Sequence, residues 1–218
     1  MRSQFPEHFS LTEQAAQQIA ARTAEILKKG GVIVYPTDTI YGLGADPFSA
    51  RAVQRVYRLK GRSFSKPSHV LIGSIEMLDL LVEKIPAAAQ KLVEIFWPGP
   101  LTIILPARKE LQGRFLAEDH TLGIRLPTHD FCRQLSLELQ GPVLSTSANL
   151  SGGANPLKLE DIPEEILRRV DAVVDGGESE KTEPSTIVKI VEKPLLVREG
   201  ALPLKEIEAV LGPVEKLG

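Results

Sequence analysis

Apolar and polar positions along the 218-residue chain change period repeatedly, and each change marks an element. Ala15, Ile19, Thr23, Ile26 and Leu27 share one face of a 3.6-residue repeat, so an amphipathic helix is predicted there. Ser10-Leu11-Thr12-Glu13 has the form of its capping box, and Gly30-Gly31 stops it. The apolar run Val32-Ile33-Val34 reads as a strand, which ends where Pro36 removes a ladder donor. A second helix, capped by Ser49 and ended by Gly61, carries Val53, Val56 and Tyr57 as its apolar stripe.

Further along, a strand is predicted at 69–72, helices at 75–82 and 86–96, and a turn at Trp97-Pro98-Gly99-Pro100 leading into a strand at 101–105. Strands at 122–125 and 142–145 flank a helix that Thr128 can cap. After them come a helix at 159–170, strands at 172–174, 186–191 and 195–197, and a closing helix at 204–211. Strands and helices alternate without strict order. The expected fold is therefore α/β: a twisted, mostly mixed sheet with flanking helices.

Composition narrows the classes. Apolar residues make up 43% and charged residues 25%, and the net charge is -2, so nothing global points to nucleic acid or membrane. Prolines and glycines are spread evenly and no internal repeat is visible, so one domain over 1–218 is expected. The first ten residues lack an apolar signal core, and no window is long and apolar enough for a membrane span. The lone Cys132 allows no internal disulfide, and no Cys/His spacing suggests zinc. Cytoplasmic residence follows as an expectation.

Local charge is less even. Between Pro47 and Ile75 there is no acidic residue, yet Arg51, Arg55, Arg58, Lys60, Arg62 and Lys66 all occur there, so an anion could be held. Arg51, Arg55 and Arg58 are expected on the solvent face of the second helix. Lys60-Gly61-Arg62 lies at its exit, where a compact charge and a planar fork can converge on phosphate oxygens.

Two polar segments follow apolar strands. Tyr35-Pro36-Thr37-Asp38-Thr39-Ile40-Tyr41-Gly42-Leu43-Gly44 offers hydroxyls, a carboxylate and two glycines that can allow close backbone approach or positive φ. Ser145-Thr146-Ser147-Ala148-Asn149-Leu150-Ser151-Gly152 offers small donors suited to phosphate or carboxylate. Arg125 enters a strand and calls for an anionic partner, either a protein carboxylate or a ligand's. A Walker loop, a dinucleotide fingerprint and a nucleophile elbow are all missing, and Cys132 reads as a small core residue. Covalent serine or cysteine catalysis is not indicated.

Taken in order, these segments resemble the threonylcarbamoyl-AMP synthase family, built on the YrdC-like domain. The resemblance spans about 15–203 and rests on the two segments just quoted, on Lys60-Gly-Arg62, Trp97-Pro-Gly-Pro-Leu-Thr102 and Gly123-Ile-Arg-Leu-Pro127, and on Pro184-Ser-Thr186 and Arg198-Glu-Gly200. It implies a YrdC-like fold with a concave basic groove, in the short form without a further C-terminal domain. It also implies condensation of L-threonine, bicarbonate and ATP to threonylcarbamoyl-AMP and pyrophosphate, a nucleotidyl transfer that feeds tRNA threonylcarbamoyladenosine formation through downstream transferase proteins. Magnesium would come with ATP, with no metal site in the protein.

By matching position, the resemblance makes Thr39, Arg125, Ser145 and Ser185 threonine contacts, with Arg125 on the amino-acid carboxylate. Arg62, Lys66, Thr121, Ser147, Asn155 and Arg198 become ATP contacts, and Lys60 with Arg62 the catalytic phosphate clamp. The chain departs from the family at Arg62-Ser63-Phe64-Ser65-Lys66-Pro67-Ser68, where Arg-Pro and then Asn-Pro-Leu are usual, and Leu71 stands where a histidine is usual, with His69 two residues away. Two alternatives follow: a divergent member that adenylates another small carboxylated amine, or a noncatalytic module binding double-stranded RNA or tRNA through the arginine face.

Overall fold

The computed structural model describes residues 6–11, 16–61, 68–179 and 181–217. Its strands are β1 (Glu7–Ser10), β2 (Val32–Tyr35), β3 (Gly42–Ala45), β4 (His69–Leu71), β5 (Leu101–Pro106), β6 (Thr121–Arg125), β7 (Val143–Ser147), β8 (Ala172–Asp175), β9 (Thr186–Ile190), β10 (Pro194–Arg198) and β11 (Glu215–Lys216). They form one sheet in the order β1-β8-β2-β3-β7-β4-β6-β5-β9-β10-β11. Parallel pairs such as β4–β6 and β5–β9 mix with antiparallel ones such as β2–β3, β3–β7 and β4–β7, as expected of a mixed sheet. The helices are α1 (Ala16–Lys28), α2 (Ala50–Lys60), α3 (Ala87–Phe96), α4 (Asp130–Leu139), α5 (Glu164–Leu167) and α6 (Leu204–Leu211).

All four residues of β2 are buried because helices cover both faces of this part of the sheet. Ile33 and Tyr35 pack with Ile19, Ala24 and Leu27 of α1 and Phe131 and Leu135 of α4. Val32 and Val34 point the other way, into a larger core with Val53 and Val56 of α2, Leu92 of α3 and Ile207 of α6. The α2 boundaries follow the sequence signals: the Ser49 side chain accepts from the Ala52 amide, and Gly61 ends the helix with φ 58°.

Four expectations change. The glycines after Tyr41 lie in a strand, β3, hairpin-paired to β2 with Tyr35 opposite Gly42, and neither takes positive φ. A Cβ on Gly44 would stand 2.8 Å from Cε1 of Tyr35, so the glycine makes room for a ring. The helix predicted at 159–170 shrinks to a turn at Leu159–Asp161 and the single-turn α5, since Pro163 has no amide donor with which to continue a helix. Thr128 does not cap α4; its hydroxyl donates to Asp38 instead. The predicted helix at 75–82 is a 3-10 segment, Ile75–Leu80.

Strands β1 and β11 were not anticipated. β1 carries one apolar residue, Phe9, and gains its place by parallel pairing to β8. Of the expected capping box, Thr12 and Glu13 lie outside the described residues. No described helix is long and apolar enough to cross a membrane.

Candidate active site

The site begins with Thr37, which folds the β2–β3 connection around its own hydroxyl. Its Oγ1 accepts from the amides of Thr39 and Ile40 and donates to the Ile40 carbonyl. This local turn aims Thr39 at β6, where Arg125 donates to Thr39 Oγ1 at 3.0 Å, to the Gly99 carbonyl at 3.0 Å and to Asp38 Oδ1 at 2.6 Å. Both partners of the Arg125–Asp38 pair are buried, with side chains 3% and 7% exposed. Of Arg125's five N–H groups, two have no acceptor among the described residues, and the side chain lines the adjoining cleft.

Asp38 is fully committed to this arrangement. Its other oxygen accepts from the Thr128 amide at 3.2 Å and hydroxyl at 3.0 Å. Burial pushes its pKa up, but Arg125 and the Thr128 bonds outweigh that and hold it below the ordinary carboxylate value. Tyr35 plays a matching role on the strand side. Burial raises its phenol, which stays protonated and donates to Ser145 Oγ at 2.7 Å. The sequence left the roles of Tyr35 and Asp38 open; the structure makes them positioning residues for Ser145 and Arg125. Both were visible in the motif, but their partners lie 110 and 87 positions away.

Thr39, Arg125, Ser145 and Ser185 all line one small cleft of about 130 Å³, together with Ser147, Asn155 and Arg198. Its lining includes two guanidiniums and no carboxylate, which suits an anionic ligand. Ser185 is held by Thr102, with 2.8 Å between the hydroxyls, and its carbonyl accepts from Arg198 at 2.7 Å. His69 and Leu71, two residues apart on β4, line the same cleft.

Thr121 lies elsewhere, in a neighbouring cleft of about 470 Å³, where its hydroxyl donates to Asp119. Asp119 also pairs with Lys189. The two clefts share Ser68, His69 and Ile187 in their linings, so they adjoin, the first the smaller and the second the larger. Arg62 and Lys66 lie outside the described residues.

Lys60 is a correction. It was expected to point a cation at phosphate, yet it is 4% exposed and lines neither cleft. The last turn of α2 packs against the end of β7, so Nζ meets the Ser147 carbonyl at 2.5 Å, the Asn149 carbonyl and Oδ1 at 3.0 Å each, and Ser147 Oγ at 3.2 Å. Asn149 Nδ2 then donates to the Gly153 and Ala154 carbonyls. Lys60 thus ties down the loop that presents Asn155 to the cleft.

The arginine face of α2 also differs from expectation. Arg55 bends back to Asp171 at 2.6 Å and to the Arg169 carbonyl, leaving Arg51 and Arg58 exposed. A continuous three-arginine surface for RNA is not formed. Cys132 is buried with its Sγ on the Pro36 carbonyl, and burial raises its pKa, in keeping with a core role.

The pattern of the Sua5/YciO/YrdC family, described as "Telomere recombination", matches residues 25–200. The chain belongs to this family. It is similar to the threonylcarbamoyl-AMP synthases of Pyrococcus abyssi, 35% identical over 88% of this chain and 56% of the relative, and of Bacillus subtilis, 37% identical over 89% and 57%. It therefore spans little more than half the length of these two relatives. The crystal structure of P. abyssi Sua5 complexed with L-threonine superposes with a TM-score of 0.90 at 31% identity, covering 98% of this chain and 62% of that one. The Sua5/YciO/YrdC core is thus present nearly throughout the chain.

Proposed function

We propose that the protein is an L-threonylcarbamoyladenylate synthase that uses the narrow cleft for threonine and the wide one for ATP. One observation carries the reading: a small, carboxylate-free cleft lined by Thr39, Arg125, Ser145 and Ser185 adjoins a larger one. At about 130 Å³ the first suits an amino acid and is far below drug-sized pockets, which start at roughly 300 Å³. The second has room for a nucleotide. The threonine named in the P. abyssi complex supports the same reading by similarity.

In this mechanism the two open N–H groups of Arg125 take the threonine carboxylate, while Asp38 and Gly99 fix the guanidinium fork. Threonine nitrogen attacks the carbon of bicarbonate, and loss of water leaves N-carboxythreonine. An oxygen of that new carboxylate attacks the α-phosphorus of ATP, and pyrophosphate leaves as the bond between the α-phosphorus and the bridging oxygen breaks. The nucleophile belongs to the substrate, so the protein's work is to orient, neutralise and exclude water. Of the expected ATP contacts, Ser147, Asn155 and Arg198 line the narrow cleft beside threonine and Thr121 lines the wide one, so the nucleotide would reach from one into the other, with Arg62 and Lys66 kept as ATP contacts by family position.

Among the described residues no cluster of three His, Cys, Asp or Glu side chains could hold a metal ion, and Asp119 is engaged by Lys189 and Thr121. A resident magnesium site does not fit this side-chain set; the ion would enter with ATP on phosphate oxygens and water. The protein would act in the cytoplasm, passing its adenylate to tRNA-modifying transferases. Pyrophosphate release should require ATP, bicarbonate and threonine together, with serine a poorer substitute. Release that continues unchanged without threonine would sink the proposal.

A further inference from the structure

The structure assigns Ser68 as a substrate-contacting residue at the joint between the two clefts, where its hydroxyl donates to a nonbridging oxygen of the ATP α-phosphate. Ser68 is 5% exposed, and its Oγ has no hydrogen-bond partner among the described residues. Its backbone is fixed, because the Ser68 amide donates to the Tyr57 hydroxyl at 3.1 Å from the buried side of α2. A buried hydroxyl without a partner is a net cost to the fold, and such groups normally find a protein or water partner. A ligand that supplies the acceptor removes that cost.

Position decides which ligand atom this is. Ser68, His69 and Ile187 are the three residues common to the narrow cleft and the wide one. If threonine occupies the first and ATP the second, the bond between carbamate oxygen and α-phosphorus must form at that shared wall. Ile187 has no polar side-chain atom there, whereas the Ser68 O–H is a short, fixed donor. Ser68 lies in the segment where this chain departs from the Asn-Pro-Leu of the family resemblance. During transfer the carbamate oxygen bonds to the α-phosphorus, the bond to the pyrophosphate oxygen breaks, and Ser68 keeps its proton throughout. Its contribution is to the charge that develops on the nonbridging oxygen.

The assignment rests on the synthase reading, and kinetics of Ser68→Ala separate the two. Wild-type pyrophosphate release that requires threonine establishes the reaction. In that case Ser68→Ala should lower kcat/KM for ATP by about 10- to 100-fold, the range for losing a hydrogen bond to a charged group. The KM for threonine should stay within about twofold, and the melting temperature should equal or exceed that of wild type. Unchanged kcat/KM for ATP, or a lowered melting temperature with threonine and ATP parameters weakened alike, would overturn the assignment. If wild type shows no threonine-dependent release, the synthase reading fails by itself. Calorimetry with α,β-methylene ATP then decides Ser68: about tenfold weaker binding by Ser68→Ala supports the contact, and equal binding refutes it.

Discussion

Replacing Asp38 by alanine tests the centre of the site most directly, because it removes one member of a buried ion pair and leaves the other in place. Arg125 and Asp38 meet at 2.6 Å with side chains 3% and 7% exposed, so solvent cannot take over the lost interaction. Breaking such a pair from one side costs about 3–5 kcal/mol, most of it the penalty of an uncompensated buried charge. The Thr128 amide and hydroxyl lose their acceptor as well. For a chain of this size roughly 2–4 °C of Tm accompany each kcal/mol, so a fall on the order of 10 °C is expected.

Urea denaturation at pH 7 measures the change, and Asp38→Asn isolates its charge-dependent part. The Asp38 carboxyl is held below its ordinary value, so its contribution is complete above the unfolded pKa of about 3.9 and is lost as pH falls through the folded one. The stability gap between wild type and Asp38→Asn should therefore be full at neutral pH and close below about pH 4. An alanine variant within about 1 kcal/mol of wild type at pH 7, or a gap that widens towards acid, would refute the ion pair as the element that holds Arg125.

Tyr35→Phe deletes only the donor to Ser145 Oγ and should cost about 0.5–1.5 kcal/mol in denaturant melts. The KM for threonine should rise several-fold with little change for ATP. Gly44→Ala places a methyl 2.8 Å from the Tyr35 ring, whose hydroxyl is already tied down, so a loss of about 1–3 kcal/mol is expected by calorimetry. Lys60→Met keeps much of the stem but removes the ammonium shared by Ser147 and Asn149. Stability should fall by about 1–3 kcal/mol, and amide exchange over 147–155 should quicken. Protection of that loop equal to wild type would show that Lys60 does not hold it.

Legibility in the sequence followed the range of the interaction involved. Ser49 and Gly61 announced the ends of α2 because a cap is settled within four residues, and β2 was readable because four consecutive apolar positions fit a strand covered on both faces. Pro163 carried its helix-breaking signal, yet the apolar spacing around it suggested a helix running through. β1 had almost no apolar signal, since its pairing to β8 depends on a partner that lies far along the chain.

In the site, residue types were legible before roles were. Thr39, Arg125, Ser145 and Ser185 could be named from the motifs, and the fold brings all four to one cleft. Lys60 was misread because a cation beside a helix-ending glycine suggests exposure, whereas α2 packs its last turn against the end of β7. The same distinction explains the opening motif. Its glycines yield space to Tyr35, its Thr37 builds the turn, and its Asp38 restrains a guanidinium 87 positions away. Thr39 both lines the cleft and accepts from Arg125. Much of the motif is therefore structural support that fixes the direction of two distant side chains. A substitution at Tyr35 or Asp38 should act through Ser145 or Arg125 before it acts on any ligand directly.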